Sequence, residues 1–291
     1  MAALISTAGA PRRAVPEAAV VRSGHVRATW LTDVHLNFLR KLALRAFFDR
    51  VKAERPDVVL ITGDIAEADS LEQFLDDLAA HVGTPIYFVL GNHDFYRSSI
   101  RLVRSVLARR RGPARWLPAS EPVQLTDRTV MIGVDGWGDA RCGDLASQVQ
   151  LSDWQLIEEF APSRYDRPAR IRLLQELGAA EAAALRASLA RVPASDELLV
   201  LTHVPPFPEA CVYNGEQSEP AWLPWFTCVS TGEVLIEHAQ RHPNTKITVL
   251  CGHTHGTGVV TPCPNLEVRT GGWPPNVKDY GNPLVQATLE L

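Results

Sequence analysis

The sequence predicts an α/β fold, in which helices cover a largely parallel sheet. Short runs rich in Val, Ile and Leu, mostly bounded by Gly, Asp or Asn, alternate with longer stretches of helical periodicity. Such alternation needs crossover connections, and hence parallel strands with helices over them. In addition, His, Asp and Asn residues follow directly after several of the runs, at the carboxyl ends of strands, where open α/β sheets bind their ligands.

Residues 1–24 mix Ala, Pro, Arg and Ser without periodicity and are expected to form a loose tail. That leaves 25–291 as a single domain. Buried strands are expected at 26–31, 58–62, 86–90, 130–134, 198–202 and 247–250. Helices are expected at 38–54, ending before Pro56, and at 70–82, between a Ser70 cap and Gly83. Further helices are expected at 98–110, with Ile100, Val103 and Leu107 on one face, and at 170–191 and 231–241. Two later segments, 266–270 and 285–291, read as strands of a second sheet. Two stretches break the alternation. The first, 136–169, is rich in Trp, Asp, Arg and Gly, and the second, 205–230, is rich in Pro and Trp.

A net charge of −4 gives no global attraction to phosphate backbones or anionic lipid, so a nucleic-acid partner is not expected. No apolar run approaches the roughly 20 residues that span a bilayer, and the first residues lack the basic start of a signal peptide. The five cysteines are widely spaced without a Cys-x-x-Cys, which argues for reduced thiols and against a thiolate zinc site. Cys211 and Cys228 can lie near each other in one excursion, and they too are expected to be reduced. These features suit a cytoplasmic protein.

The chemistry lies in five short blocks. Asp33 and His35, two residues apart at a strand end, can both turn toward one ion. In Gly63-Asp64, the glycine lets the backbone pass close by, and the carboxylate has two oxygens with which to bridge two cations. Gly91-Asn92-His93-Asp94 offers a neutral amide oxygen. His203 follows a fourth strand, and Gly252-His253-Thr254-His255 closes the set with alternating imidazoles. Each block alone occurs by chance, and a lone strand-end histidine is more often a satisfied polar residue than a ligand. Five in order, each after a strand, form the pattern of a site.

In these blocks the chain resembles the calcineurin-like metallophosphoesterases, from Asp33 to His255, with no ligand position substituted. The resemblance implies a four-layer α-β-β-α sandwich with two facing mixed sheets. It also implies one metal ion held by Asp33, His35, Asp64 and His255, and a second held by Asp64, Asn92, His203 and His253. Carboxylate and imidazole donors without thiolates suit Mn, Fe or Zn rather than Ca. His93 would then face the leaving-group oxygen as a general acid or a transition-state donor. Such a role needs an acceptor on the other ring nitrogen. Glu67 is favoured over Asp94, although the family typically places Asp or His at that offset. Asn92, Arg141 and Arg97 are candidates for touching the phosphate, since a guanidinium matches its oxygens bidentately.

The expected activity is hydrolysis of a small organic phosphodiester or monoester, with a metal-activated water attacking phosphorus in line. Tyr213, Trp222, Trp225 and Phe226 of the second excursion would form either an apolar wall for the leaving group or a satellite core. A nuclease of the same fold would need a basic groove. A non-catalytic scaffold would have no need of an intact ligand set.

Overall fold

A computed structural model describes residues 24–277 and 279–291. The tail expected at 1–24 lies outside them except for Gly24. In chain order the elements are β1 (Arg27–Leu31), α1 (Lys41–Ala53), β2 (Val58–Thr62), α2 (Leu71–Val82), β3 (Ile86–Val89), α3 (Ile100–Arg109), β4 (Ala114–Trp116), β5 (Val123–Gln124) and β6 (Thr129–Gly133). Then come α4 (Asp153–Leu156), α5 (Arg167–Leu189), β7 (Glu197–Leu201), β8 (Val212–Tyr213), β9 (Glu216–Gln217), α6 (Leu223–Phe226), α7 (Val229–Arg241), β10 (Lys246–Cys251), β11 (Gly258–Cys263), β12 (Leu266–Thr270) and β13 (Val285–Glu290).

Successive side chains of a strand point to opposite faces, and here the two faces enter different cores. Val58 and Leu60 of β2, Tyr87 and Val89 of β3, and Leu199 and Leu201 of β7 meet in one core between the sheets. Val59 and Ile61, with Ile86 and Phe88, instead pack under α1, α2 and α3. Leu198 and Val200, with Ile247 and Val249, pack under α5 and α7. The result is a four-layer α-β-β-α sandwich. The first sheet has the order β13-β1-β2-β3-β4 and is parallel apart from β13. The second has the order β11-β12-β10-β7-β6-β5, with antiparallel pairing at both edges. Both sheets are mixed.

Local chemistry explains the helices. Leu71, Leu75, Leu78 and Val82 give α2 one apolar stripe, and Gly83 closes it in the left-handed conformation. The expected Ser70 cap is absent in the usual sense, because its hydroxyl donates to the Glu67 carbonyl at 3.2 Å. Ser99 caps α3 and Asp166 caps α5 by accepting backbone amides.

The expectation that 266–270 and 285–291 share a second sheet is corrected. β12 lies beside β10 in the second sheet, whereas β13 returns antiparallel to β1 in the first. Strand period sets which residues share a face, but not which partner is chosen. The two irregular excursions pack on each other. Ala140 N donates to Pro224 O at 2.9 Å and Asp144 N to Pro220 O at 2.7 Å, while the rings of Trp154 and Trp225 lie 5.8 Å apart. All five cysteines are free thiols. Among the described residues no helix is long and apolar enough to cross a membrane.

Candidate metal centre

The carboxyl ends of β1, β2 and β3 from one sheet, and of β7 and β10 from the other, meet at one edge of the sandwich. Backbone bonds fasten the segments that follow. Asp33 N donates to Gly63 O at 3.1 Å, His35 N to Asp64 O at 3.0 Å, and Gly252 N to His203 O at 2.9 Å. The Asp94 carboxylate takes the amides of Ile65, Ala66 and Gly91, each within 2.9 Å, tying the β2 and β3 ends together. Between the sheets, His253 N donates to the Asp33 carboxylate at 3.1 Å. Asp33, His35, Asp64, His253 and His255 all have positive φ. Side chains rarely adopt that conformation, and it persists where the surroundings enforce it, commonly at functional sites.

The candidate ligands fall into two groups. Donor atoms of Asp33, His35, Asp64 and His255 all lie within 4.8 Å of one another. His255 Nε2 is 3.3 Å from Asp33 Oδ1, and His35 Nε2 is 3.7 Å from Asp64 Oδ2. The second group centres on His203 Nε2, which lies 3.4 Å from Asp64 Oδ1, 3.3 Å from Asn92 Oδ1 and 3.1 Å from His253 Nδ1. The two oxygens of Asp64 are thus divided between the groups. His203 Nδ1 donates to the Thr62 carbonyl at 2.8 Å, which leaves Nε2 with its lone pair. That lone pair faces Asp64 Oδ1 and Asn92 Oδ1.

The residues present fit metal ions. Both ring nitrogens of His35 and Nε2 of His253 are buried without a hydrogen-bond partner, an arrangement that folded proteins ordinarily avoid. Burial lowers the proton affinity of His35, His253 and His203, keeping the rings neutral and able to donate lone pairs. Burial also pushes Asp64 well up, aided by the charges of Asp33 and Asp94. Asp33 is buried as well, but its bond to His255 holds it well below the usual carboxylate range. A cation between these carboxylates would offset their desolvation and mutual repulsion.

Gly63 has φ +86°, and a Cβ there would sit 2.6 Å from both Gly91 N and His203 Nδ1. Gly63→Ala is therefore expected to destabilise the fold by about 1–3 kcal/mol through backbone strain and overpacking. The loss would be read as a lower melting temperature of the metal-free protein.

The remaining predicted residues have mixed placements. His93 stands at the site, its Nε2 3.9 Å from Asp64 Oδ2 and its ring 4.5 Å from that of His35. Glu67, expected to orient His93, forms an ion pair with Arg97 at 3.0 Å, so these two candidates engage each other. Asp94, the other candidate for that role, is occupied by backbone amides. Arg141 pairs with an acidic neighbour distant in sequence. Its guanidinium forks onto Glu233 at 2.7 and 2.9 Å and reaches the Ser230 hydroxyl at 3.2 Å. Loop length and composition did not reveal these pairings, since each depends on a neighbour distant in sequence. Arg141→Ala is expected to leave kcat/KM at the wild-type value in a steady-state assay.

A cavity of about 650 Å³ opens on this edge. Its floor includes Asp64, Asn92, His93, His253 and His255. Tyr96 and Asp153 also line it, as do Tyr213, Trp222 and Phe226 of the second excursion. Trp225 is instead buried in the core with Trp154. The aromatic excursion is thus both wall and core, divided residue by residue. Tyr96, Asp153 and Tyr280 were not among the candidates read from the sequence. Tyr280 Oη lies 3.4 Å from His255 Nδ1, placing it behind a candidate ligand.

The sequence profile described as calcineurin-like phosphoesterase matches residues 26–257, most of the chain and every block of the constellation. The chain belongs to the calcineurin-like phosphoesterase family. As a member of that family it is a metal-dependent phosphoesterase. No curated protein matches it. Among solved structures, a phosphopantetheinyl hydrolase from Mycobacterium tuberculosis is similar with TM-score 0.62 at 15% identity, covering 87% of this chain and 92% of that one. A dimetal phosphatase from Danio rerio is similar with TM-score 0.50 at 16% identity, covering 86% and 88%. At these identities the likeness is one of fold, which agrees with the sandwich described above. This calcineurin-like phosphoesterase also presents, at the carboxyl edge of both sheets, the buried Asp and His cluster suited to binding metal.

Proposed function

We propose that the chain is a dinuclear-metal phosphoester hydrolase acting on a small organic phosphodiester or monoester. The observation that carries this reading is Asp64, whose two oxygens face two separate donor groups. Asp33, His35, Asp64 and His255 would hold one ion, and Asp64, Asn92, His203 and His253 the other, with Mn, Fe or Zn suited to these donors. When bound, such a pair supplies Lewis-acid polarisation of the phosphoryl oxygens and lowers the pKa of water.

The chain's own residues account for the remaining chemistry. His93 Nε2, near Asp64 at the cavity floor, holds the proton that passes to the leaving-group oxygen. Glu67, whose Oε2 pairs with Arg97, is the acceptor proposed to orient the His93 ring. The cavity, at about 650 Å³, is much larger than a phosphate and matches an organic group. Trp222 and Phe226, with ring centroids 5.4 Å apart, offer that group an apolar face and exclude water from it. A cytoplasmic location fits the free cysteines.

A chromogenic phosphodiester and a monoester, offered to manganese-loaded protein beside single- and double-stranded DNA, test this reading. Turnover of at least one small ester that is abolished by a chelator is expected. Cleavage of DNA alone would favour a nuclease, and no turnover of any ester would favour a scaffold.

A further inference from the structure

The excursion 136–169 contributes a buried carboxylate to the site. Asp153 opens α4 and is 4% exposed. One of its oxygens, Oδ1, accepts two hydrogen bonds, from Asn92 Nδ2 at 2.8 Å and from the Tyr96 hydroxyl at 2.7 Å. Tyr96 Oη also lies 3.3 Å from Asn92 Nδ2. The donor end of the Asn92 amide is thereby turned toward Asp153. Its carbonyl end is left facing His203 Nε2 at 3.3 Å, within the second donor group. An amide has two ends of nearly equal shape and opposite polarity. Without an acceptor behind it, the Asn92 side chain can present its NH₂ group to the site, where a cation cannot be bound.

The surroundings hold Asp153 in place. The next residue, Trp154, is buried with its ring 5.1 Å from Phe160 and 5.8 Å from Trp225, and the Arg170 guanidinium lies 4.7 Å over it. Tyr96 also lies against the other functional side chain, since its ring is 4.3 Å from that of His93.

We infer that Asp153 is a positioning residue. As a hydrogen-bond acceptor, and with Tyr96 beside it, it fixes the Asn92 amide with its oxygen toward the second metal site. The inference rests on the proposed role of Asn92 as a ligand. It assigns a purpose to 136–169, a segment whose composition alone indicates none.

The test compares Asp153→Leu, Asp153→Asn and Tyr96→Phe with wild type and Asn92→Ala. Purified full-length proteins are stripped with chelator and titrated with manganese by calorimetry, and near-UV circular dichroism verifies folding. Asp153→Leu fills similar volume but removes the acceptor, and should weaken the second of two binding events about 10- to 100-fold, the usual cost of losing a partner behind a ligand. Asp153→Asn keeps a carbonyl able to accept both bonds and should stay within about threefold of wild type. Tyr96→Phe, the mildest change, should fall between them and keeps the test informative if Asp153→Leu misfolds. Wild-type affinity in Asp153→Leu, or equal losses in the Leu and Asn variants, would overturn the inference. If Asn92→Ala itself retains two ions at wild-type affinity, Asn92 is no ligand and the inference falls with that reading. If Asn92→Ala loses one ion while Asp153→Leu retains both, the positioning role alone falls.

Discussion

Replacing His93 with alanine is expected to lower kcat by about 10²- to 10⁴-fold, the usual worth of a positioned general acid, while both ions stay bound. The geometry separates these two effects. His93 Nε2 lies 3.9 Å from Asp64 Oδ2, near the site, but the candidate donor groups are complete without it. Its backbone amide, which donates to Asp64 Oδ1 at 2.9 Å, survives the substitution. Metal content measured by mass spectrometry after desalting should therefore match wild type. The rate defect should also shrink for esters whose leaving groups are good enough to depart unprotonated. Loss of an ion from His93→Ala would make it a ligand and end its assignment as the acid.

Asp64→Ala should do the most damage to both binding and rate. One carboxylate serves two donor groups, so its removal strips an oxygen from each and leaves His35 and His203 facing a gap. Turnover should drop on the order of 10³-fold or more, because the charge stabilisation at phosphorus is lost. Metal content should fall below one ion per chain at micromolar free manganese. Asp64 is also costly to bury, with its proton affinity pushed well up by burial and by the charges of Asp33 and Asp94. Metal-free Asp64→Ala is accordingly expected to melt no lower than metal-free wild type, whereas the stabilisation that wild type gains from added manganese should vanish. A variant that binds two ions as wild type does would show that the two oxygens do not bridge.

The edge where this chemistry gathers was legible in the sequence for a local reason. A strand followed by a turn places the next two or three residues at one rim of the sheet, so Asp33, Asp64, Asn92, His203 and His253 could be located from the runs preceding them. Parallel pairing of β1 with β2, and of β7 with β10, then brought them together. What escaped notice depends on distant contacts. The small strands β4 and β5, of three and two residues, are too short to show a period. β13 pairs with β1 rather than with β12, a choice of partner that strand period does not encode. Arg141 met Glu233 and Glu67 met Arg97 through loop paths that composition does not encode. Asp153, in contact with Asn92 across 61 positions, gave no local sign of a role.

Metal-dependent recovery of activity tests the central claim most directly. Protein stripped by chelator is titrated with manganese while bound ion and ester hydrolysis are followed in the same sample. Hydrolysis should remain near zero through the first equivalent if the ions bind in succession, and reach its plateau at two bound ions per chain. Full activity in the stripped protein, a plateau at one ion, or two bound ions without hydrolysis of any ester would contradict the two-ion account.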